Sequence, residues 1–172
     1  MTIKASIARW ILNRRIRLVS RKKKVHNLDS AKEVGVLWSI DQKAAFMQLV
    51  RTLNDKDLSV DSLCYIPTKT EKDERIRSFT KKELNWLGFP PAALTHSFSG
   101  ERFDILIDLT IQEYFPVQVL LAQSRASYKV GYAESYPDFY DLAIEFAKKP
   151  ESGVLAEQIV FYLERINKIR IE

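Results

Sequence analysis

The chain has 172 residues, 46% of them apolar and 28% charged, with only five Gly and six Pro; this suits one domain with a sizeable core and argues against disorder or a fibrous repeat. Its charge is split: the first 26 residues carry nine Lys or Arg and no Asp or Glu, and the other 146 carry 18 basic and 22 acidic groups. The formal +5 therefore describes a short cationic head on a mildly acidic body.

The sequence divides into a basic N-terminal helical arm, residues 1–26, and a single α/β domain, residues 27–172. The arm has adequate helix propensity over residues 3–24, with no Pro or Gly. On a helical wheel Ile3, Ile7, Trp10, Ile11 and Leu18 share one side, but Arg14 falls in its middle and Leu12, Ile16 and Val19 lie elsewhere. That broken pattern counts against a lipid-surface helix and favours an arm resting partly on its own body. Arg9, Arg14, Arg15 and Arg17 interrupt the stretch, so it is no secretory h-region, although it shares Arg-rich composition with transit peptides. No apolar run approaches the roughly 18 residues of a membrane span.

Residues 34–39 (VGVLWS) form an apolar run and a first strand. Asp41 is placed to cap a helix over 42–53, with Ala44, Ala45, Phe46, Leu49, Val50 and Leu53 inward. A second strand covers 60–66, and a charged, solvated run follows over 69–77. Phe79 and Thr80 start a short strand, then a helix over 81–87 stops at Gly88 and the Pro90–Pro91 pair. Residues 103–109 (FDILIDL) give the strongest strand, 114–124 a helix with Pro116 in its first turn, and 128–132 another strand. Residues 139–146 read as a sixth strand, and 154–169 as an amphipathic helix with Leu155, Ile159, Tyr162, Leu163 and Ile166 inward.

Strands with few polar residues, alternating with helical patterns, predict a three-layer, mostly parallel, Rossmann-like α/β sheet of five or six strands with helices on both faces. Crossovers of this kind are right-handed. The strand order 3-2-1-4-5 is assigned by analogy with doubly wound sheets.

No motif for specific chemistry is present. The turn after the first strand, SIDQKA, lacks the glycines of a dinucleotide or Walker loop. Asp41 there opposes an anion by charge, yet it and Thr110 sit at the ligand-binding edge of such a sheet. His26 and His96 lie far apart with no Cys pair, so no metal site is expected, and no cofactor. The single Cys64 makes no internal disulfide; flanked by Leu63, Tyr65 and Ile66, it reads as a buried, inert strand thiol in a reducing, cytoplasmic setting.

Asp108 ends the best strand, and with Glu113 it is the candidate acid/base pair; the alternative is that Asp108 ties down the loop after it. Asp104 lies about 13 Å along the same strand, at the wrong end. In 124–132 (SRASYKVGY), Arg125 and Lys129 are candidate anion ligands, and Gly131 suggests close backbone approach within a strand. In the arm, Arg14, Arg15, Arg17, Arg21, Lys22, Lys23 and Lys24 offer affinity for RNA or ribosome phosphates, or for an anionic membrane surface. Trp10 is the arm's one aromatic residue, which does not make a base-stacking platform.

The segments 81–88 (KKELNWLG), 103–109 (FDILIDL) and 129–132 (KVGY) give residues 25–169 a skeleton that resembles a family of short α/β proteins from Bacteroidota, a domain of unknown function. Residues 103–132 are also distantly similar to the N-terminal Rossmann-like half of heptosyltransferase-type glycosyltransferases. That resemblance implies the fold. It does not imply the activity, because those enzymes bind nucleotide-sugar mainly in a second Rossmann domain, and their glycines and catalytic Asp have no match near Asp41.

The reading that follows is a non-catalytic α/β binding or interaction module with an anion-binding arm. Two alternatives are a partial glycosyltransferase-like enzyme using Asp108, Glu113, Arg125 and Lys129 in one cleft, and a structural subunit or homo-oligomer with apolar surface around Trp86, Phe89 and Phe98.

Overall fold

In a computed structural model describing residues 2–166, six strands form one sheet: β1 (Glu33–Ser39), β2 (Ser59–Ile66), β3 (Ser78–Thr80), β4 (Ile105–Asp108), β5 (Tyr128–Tyr132) and β6 (Leu142–Ile144). The order is β3-β2-β1-β4-β5-β6, and all five pairings are parallel. The central strands β4 and β5 are buried at every position, and β1 at every position after Glu33. Strands covered on both faces have no solvated side, which explains their near-continuous apolar runs.

Two helices, α2 (Lys43–Asn54) and α5 (Ser152–Arg165), cover one face through Phe46, Leu49, Leu53, Leu155, Ile159 and Leu163. Helices α3 (Ala92–Ser99) and α4 (Phe115–Gln123) cover the other through Phe98, Val117, Leu120 and Leu121. Helix α1 (Ile3–Ile16) then lies on the outer side of α4, where Ala8 and Leu12 pack with Val119, Ala122 and Phe89. This explains why α4 is apolar almost all round: the sheet covers one side and α1 the other.

Several elements differ from the sequence-based expectation. The arm is not one helix over 3–24. It leaves the helix at Arg17, and Lys24 donates a backbone hydrogen bond to the Ser127 carbonyl at 3.1 Å. The helix expected over 81–87 shrinks to a single 3-10 turn, Lys81–Glu83: a capping box starts it, the Glu83 carboxylate accepting the Thr80 N–H at 2.7 Å, but Leu84 is already extended. The Asn85 side chain accepts from the Leu87 and Phe89 amides, and Gly88 adopts a φ of +89°, which favours glycine. The Pro pair therefore starts α3 rather than merely ending a helix; Pro91 is its N-cap.

On α2, Ala44 is exposed rather than inward. On α5, Tyr162 is exposed, since it lies off the stripe formed by Leu155, Ile159 and Leu163; the last residues of that expected helix, 167–169, lie outside the described residues. The sixth strand is confined to Leu142–Ile144, after a 3-10 turn at Pro137–Phe139. Phe89 and Phe98 are buried, so the apolar surface expected around them reduces to Trp86.

Cys64 is fully buried in β2. Burial first, and then the charge of Asp41, push its thiol up to about 12 against the opposing Lys43. A thiol reagent at about pH 8 is therefore expected to leave the native chain unlabelled and to label it fully in denaturant. Labelling of the native chain as fast as a free thiol would show that β2 opens.

Candidate anion-binding site

A parallel sheet has two functional edges, and the candidate residues divide between them. At the carboxyl edge, β1 and β4 are neighbours whose chains leave toward opposite faces, which is where open α/β sheets take ligands. Here that crevice is bridged from within. The buried Gln42 side chain accepts the Ser39 N–H at 3.1 Å and donates to the Leu109 carbonyl at 2.6 Å. Asp41 does not cap α2; it accepts the Ser39 hydroxyl, and Gln42 is the N-cap. The residue joining the two loops was thus read in the sequence only as a helix position.

Asp108 is committed to the loop after it and to Tyr140. One carboxylate oxygen accepts the Thr110 N–H at 2.8 Å and hydroxyl at 2.7 Å; the other accepts the Tyr140 hydroxyl at 2.8 Å. Burial pushes its carboxyl up to about 6, against the lowering effect of these three hydrogen bonds. The buried Thr110 is held as well, its carbonyl accepting the Ser135 hydroxyl at 3.0 Å. Gly131 does mark a close approach: a Cβ there would meet the Tyr140 ring at 2.3 Å, so the absent side chain admits the ring that bonds Asp108.

Glu113 is exposed and lines a cavity of about 390 Å³ with Arg9, Asn13, Ser135 and Asp138. Asp108 is not among that cavity's lining residues. The pair expected to face one cleft is separated by burial.

At the amino edge, Lys129 pairs in register with Leu106, before the end of β5. Its ammonium donates to the Leu121 carbonyl at 2.6 Å at the end of α4. Burial, and then the charges of Arg21 and Lys23, bring it down to about 7, with Asp141 opposing. Arg125 precedes β5 and is exposed. Asp108, Glu113, Arg125 and Lys129 therefore occupy different ends of the sheet, and the single cleft expected of them is not formed.

The structure instead joins Arg125 to the arm. Ser20, Arg21, Lys22, Arg102, Arg125 and Ser127 line a pocket of about 310 Å³ with four cations and no carboxylate. A second cavity, of about 510 Å³, shares Arg125 and reaches Arg15 and His96. Arg21 is held by a bidentate pair with Asp141, at 2.7 Å for each bond, and Lys23 approaches the same carboxylate at 3.5 Å. Arg14 lies over the Trp10 ring at 5.8 Å and Arg15 over Phe89 at 4.6 Å. Among the described residues, Arg17, Lys22, Lys24, Arg102 and Arg125 make no ion pair. Arg102 was not singled out in the sequence, where its neighbour Glu101 masks it.

These features define a Rossmann-like α/β domain with a bridged switch-point crevice and a cationic surface at the opposite edge. The chain belongs to a family of unknown function, DUF6913, whose model matches residues 4–166 and so includes all of α1 but its first residue. No curated protein matches the sequence. Among solved structures, E. coli heptosyltransferase WaaC with ADP is similar, with a TM-score of 0.56 and 10% identity. The match covers 81% of this chain and 49% of that one, so this chain spans about half the length of its structural neighbour. At that identity the likeness concerns the fold alone.

Proposed function

We propose that this chain is a non-catalytic interaction module that binds polyanionic partners through the cationic surface shared by its arm and the amino edge of its sheet. The pocket where Lys22, Arg102 and Arg125 gather beside the Asp141-paired Arg21 carries this reading. Arg102, Arg125 and Lys22 come from three separate segments, and none is neutralised by an ion pair among the described residues. The bridged crevice and the committed Asp108 count against the enzyme alternative, which keeps only fold likeness in its support. The buried Phe89 and Phe98 count against a large apolar subunit interface.

Heparin affinity tests the reading. The double variant Arg102→Glu, Arg125→Glu is expected to weaken binding at least about tenfold at roughly 0.1 M salt, and wild-type affinity should fall as salt rises. Both side chains are exposed, so thermal stability should stay near wild type. Equal retention of both proteins would remove the pocket from the binding surface. Deleting the arm is a poor test, because it would uncover Val119 and Ala122 of α4.

A further inference from the structure

The arm helix has two apolar faces, and only one is used. At 100° per residue, positions 8 and 12 lie on one side of α1 and positions 3, 7, 10, 14 and 17 on the other. Ala8 and Leu12 are buried against α4. On the outward side Ile3 is 82% exposed and Trp10 62%, with Ile7 also exposed; Leu18, just past the helix, is 80% exposed. Arg14 and Arg17 continue that stripe, and Lys4 and Arg9 are exposed too. Opposed apolar faces cancel on a wheel, which is why the segment looked poorly amphipathic from sequence.

We infer that this outward face docks on an anionic lipid surface, with α1 lying in the plane of the interface. The inference rests on the polyanion reading above and names its partner. A headgroup region offers apolar depth and negative charge together. The stripe matches both, with aliphatic side chains, a Trp suited to headgroup level, and cations in a segment with no Asp or Glu among its first 26 residues. Long Arg and Lys side chains reach the headgroups while their stems lie along the apolar region. RNA phosphates would leave Ile3, Ile7 and Leu18 without a function, and one Trp is no stacking platform. A second copy of the same stripe would bring like charges together. The turn carrying Trp86, itself 69% exposed, borders α1: Leu84 and Leu87 share a cavity with Ala5 and Ala8.

The test uses the full chain with vesicles of phosphatidylcholine, with and without phosphatidylserine. Wild type is expected to co-sediment with the anionic vesicles and at least about tenfold more weakly with neutral ones. Its tryptophan emission should shift to the blue; in a Trp86→Phe background, where Trp38 is fully buried and already dry, Trp10→Phe should remove most of that shift. The triple variant Ile3→Ser, Ile7→Ser, Trp10→Ser should lose vesicle binding at least about tenfold while keeping heparin affinity. Unchanged vesicle binding in the triple variant, or tighter binding to an RNA oligonucleotide through the same residues, would overturn the lipid assignment. Heparin binding without vesicle binding would refute this inference and leave the broader reading standing; loss of both would refute the broader reading.

Discussion

Arg21→Ala is expected to destabilise the folded chain by about 2–3 kcal/mol, because it removes two charge-assisted hydrogen bonds from a half-buried carboxylate. The Arg21 and Asp141 side chains are only 14% and 13% exposed, and they meet in two parallel hydrogen bonds of 2.7 Å. Arg21 also donates to the Ala126 carbonyl at 3.0 Å, so one guanidinium ties the arm to the segments before β5 and β6. Without it Asp141 keeps the Lys129 amide at 2.9 Å and the exposed Lys23. In a chain of this size, urea or thermal denaturation at neutral pH should register a fall in Tm on the order of 10 °C. Arg21→Lys should recover only part of the loss, since an ammonium does not reproduce the bidentate fork.

The acid limb provides a second check. Burial alone would raise the Asp141 carboxyl, but the Arg21 hydrogen bonds, the Lys129 amide and the charges of Arg21 and Lys23 outweigh it and hold the group below its ordinary value. A carboxyl depressed on folding contributes stability above its unfolded pKa and loses it as pH falls through the folded value. Wild type should therefore lose this contribution below about pH 4, and Arg21→Ala should lose less over the same range. A stability change under about 1 kcal/mol would mean that solvent screens the pair.

Asp108→Asn should act in the opposite direction and stabilise the fold at neutral pH by about 3 kcal/mol. The folded carboxyl is raised to about 6 from 3.8, mainly by burial, and each unit is about 1.4 kcal/mol. A carboxyl raised on folding contributes its stability below the unfolded pKa and loses it as pH climbs through the folded one. The wild-type curve should fall between about pH 4 and 6 on this account, and the Asn curve should stay flat there. Asn can still accept from the Thr110 N–H and hydroxyl through its oxygen and donate to the Tyr140 hydroxyl through its nitrogen. A strong loss of stability in Asp108→Asn at pH 7 would show that the ionised carboxylate is required by its three donors.

Much of the architecture was legible in the chain. Strand β5 coincides with the expected 128–132, and β1 and β2 each extend one residue earlier than expected. Parallel strands buried on both faces leave an apolar run that local patterning captures. The misplaced helix near residues 81–87 shows where that patterning stops. Its outcome depended on Asn85 bonding to the Leu87 and Phe89 amides, a competition that composition does not resolve. The candidate site was legible as residue types but not as a place. The sequence offers Asp108 both as a partner of Glu113 and as a tie for the loop after it, and folding keeps the second role, with Asp108 bonded to Thr110 beneath Tyr140; Arg125 and the arm cations, separate in the sequence, are joined by folding at Arg21 and Lys22.

The sequence by itself determined a parallel α/β sheet, an inert strand thiol, and a cationic head of nine charges on an acidic body. Each is a property of local pattern or of composition, which neighbours in the chain are enough to specify. The broken wheel pointed to an arm resting on the body, but only the tertiary structure decided that it lies as a layer over α4, with Arg21 set in a half-buried pair and Ile3, Ile7 and Trp10 turned outward. Those outcomes depend on contacts across more than 100 residues of chain, such as Arg21 with Asp141. A helical wheel shows which residues share a side, but which side is covered is set by the surface that the rest of the chain offers.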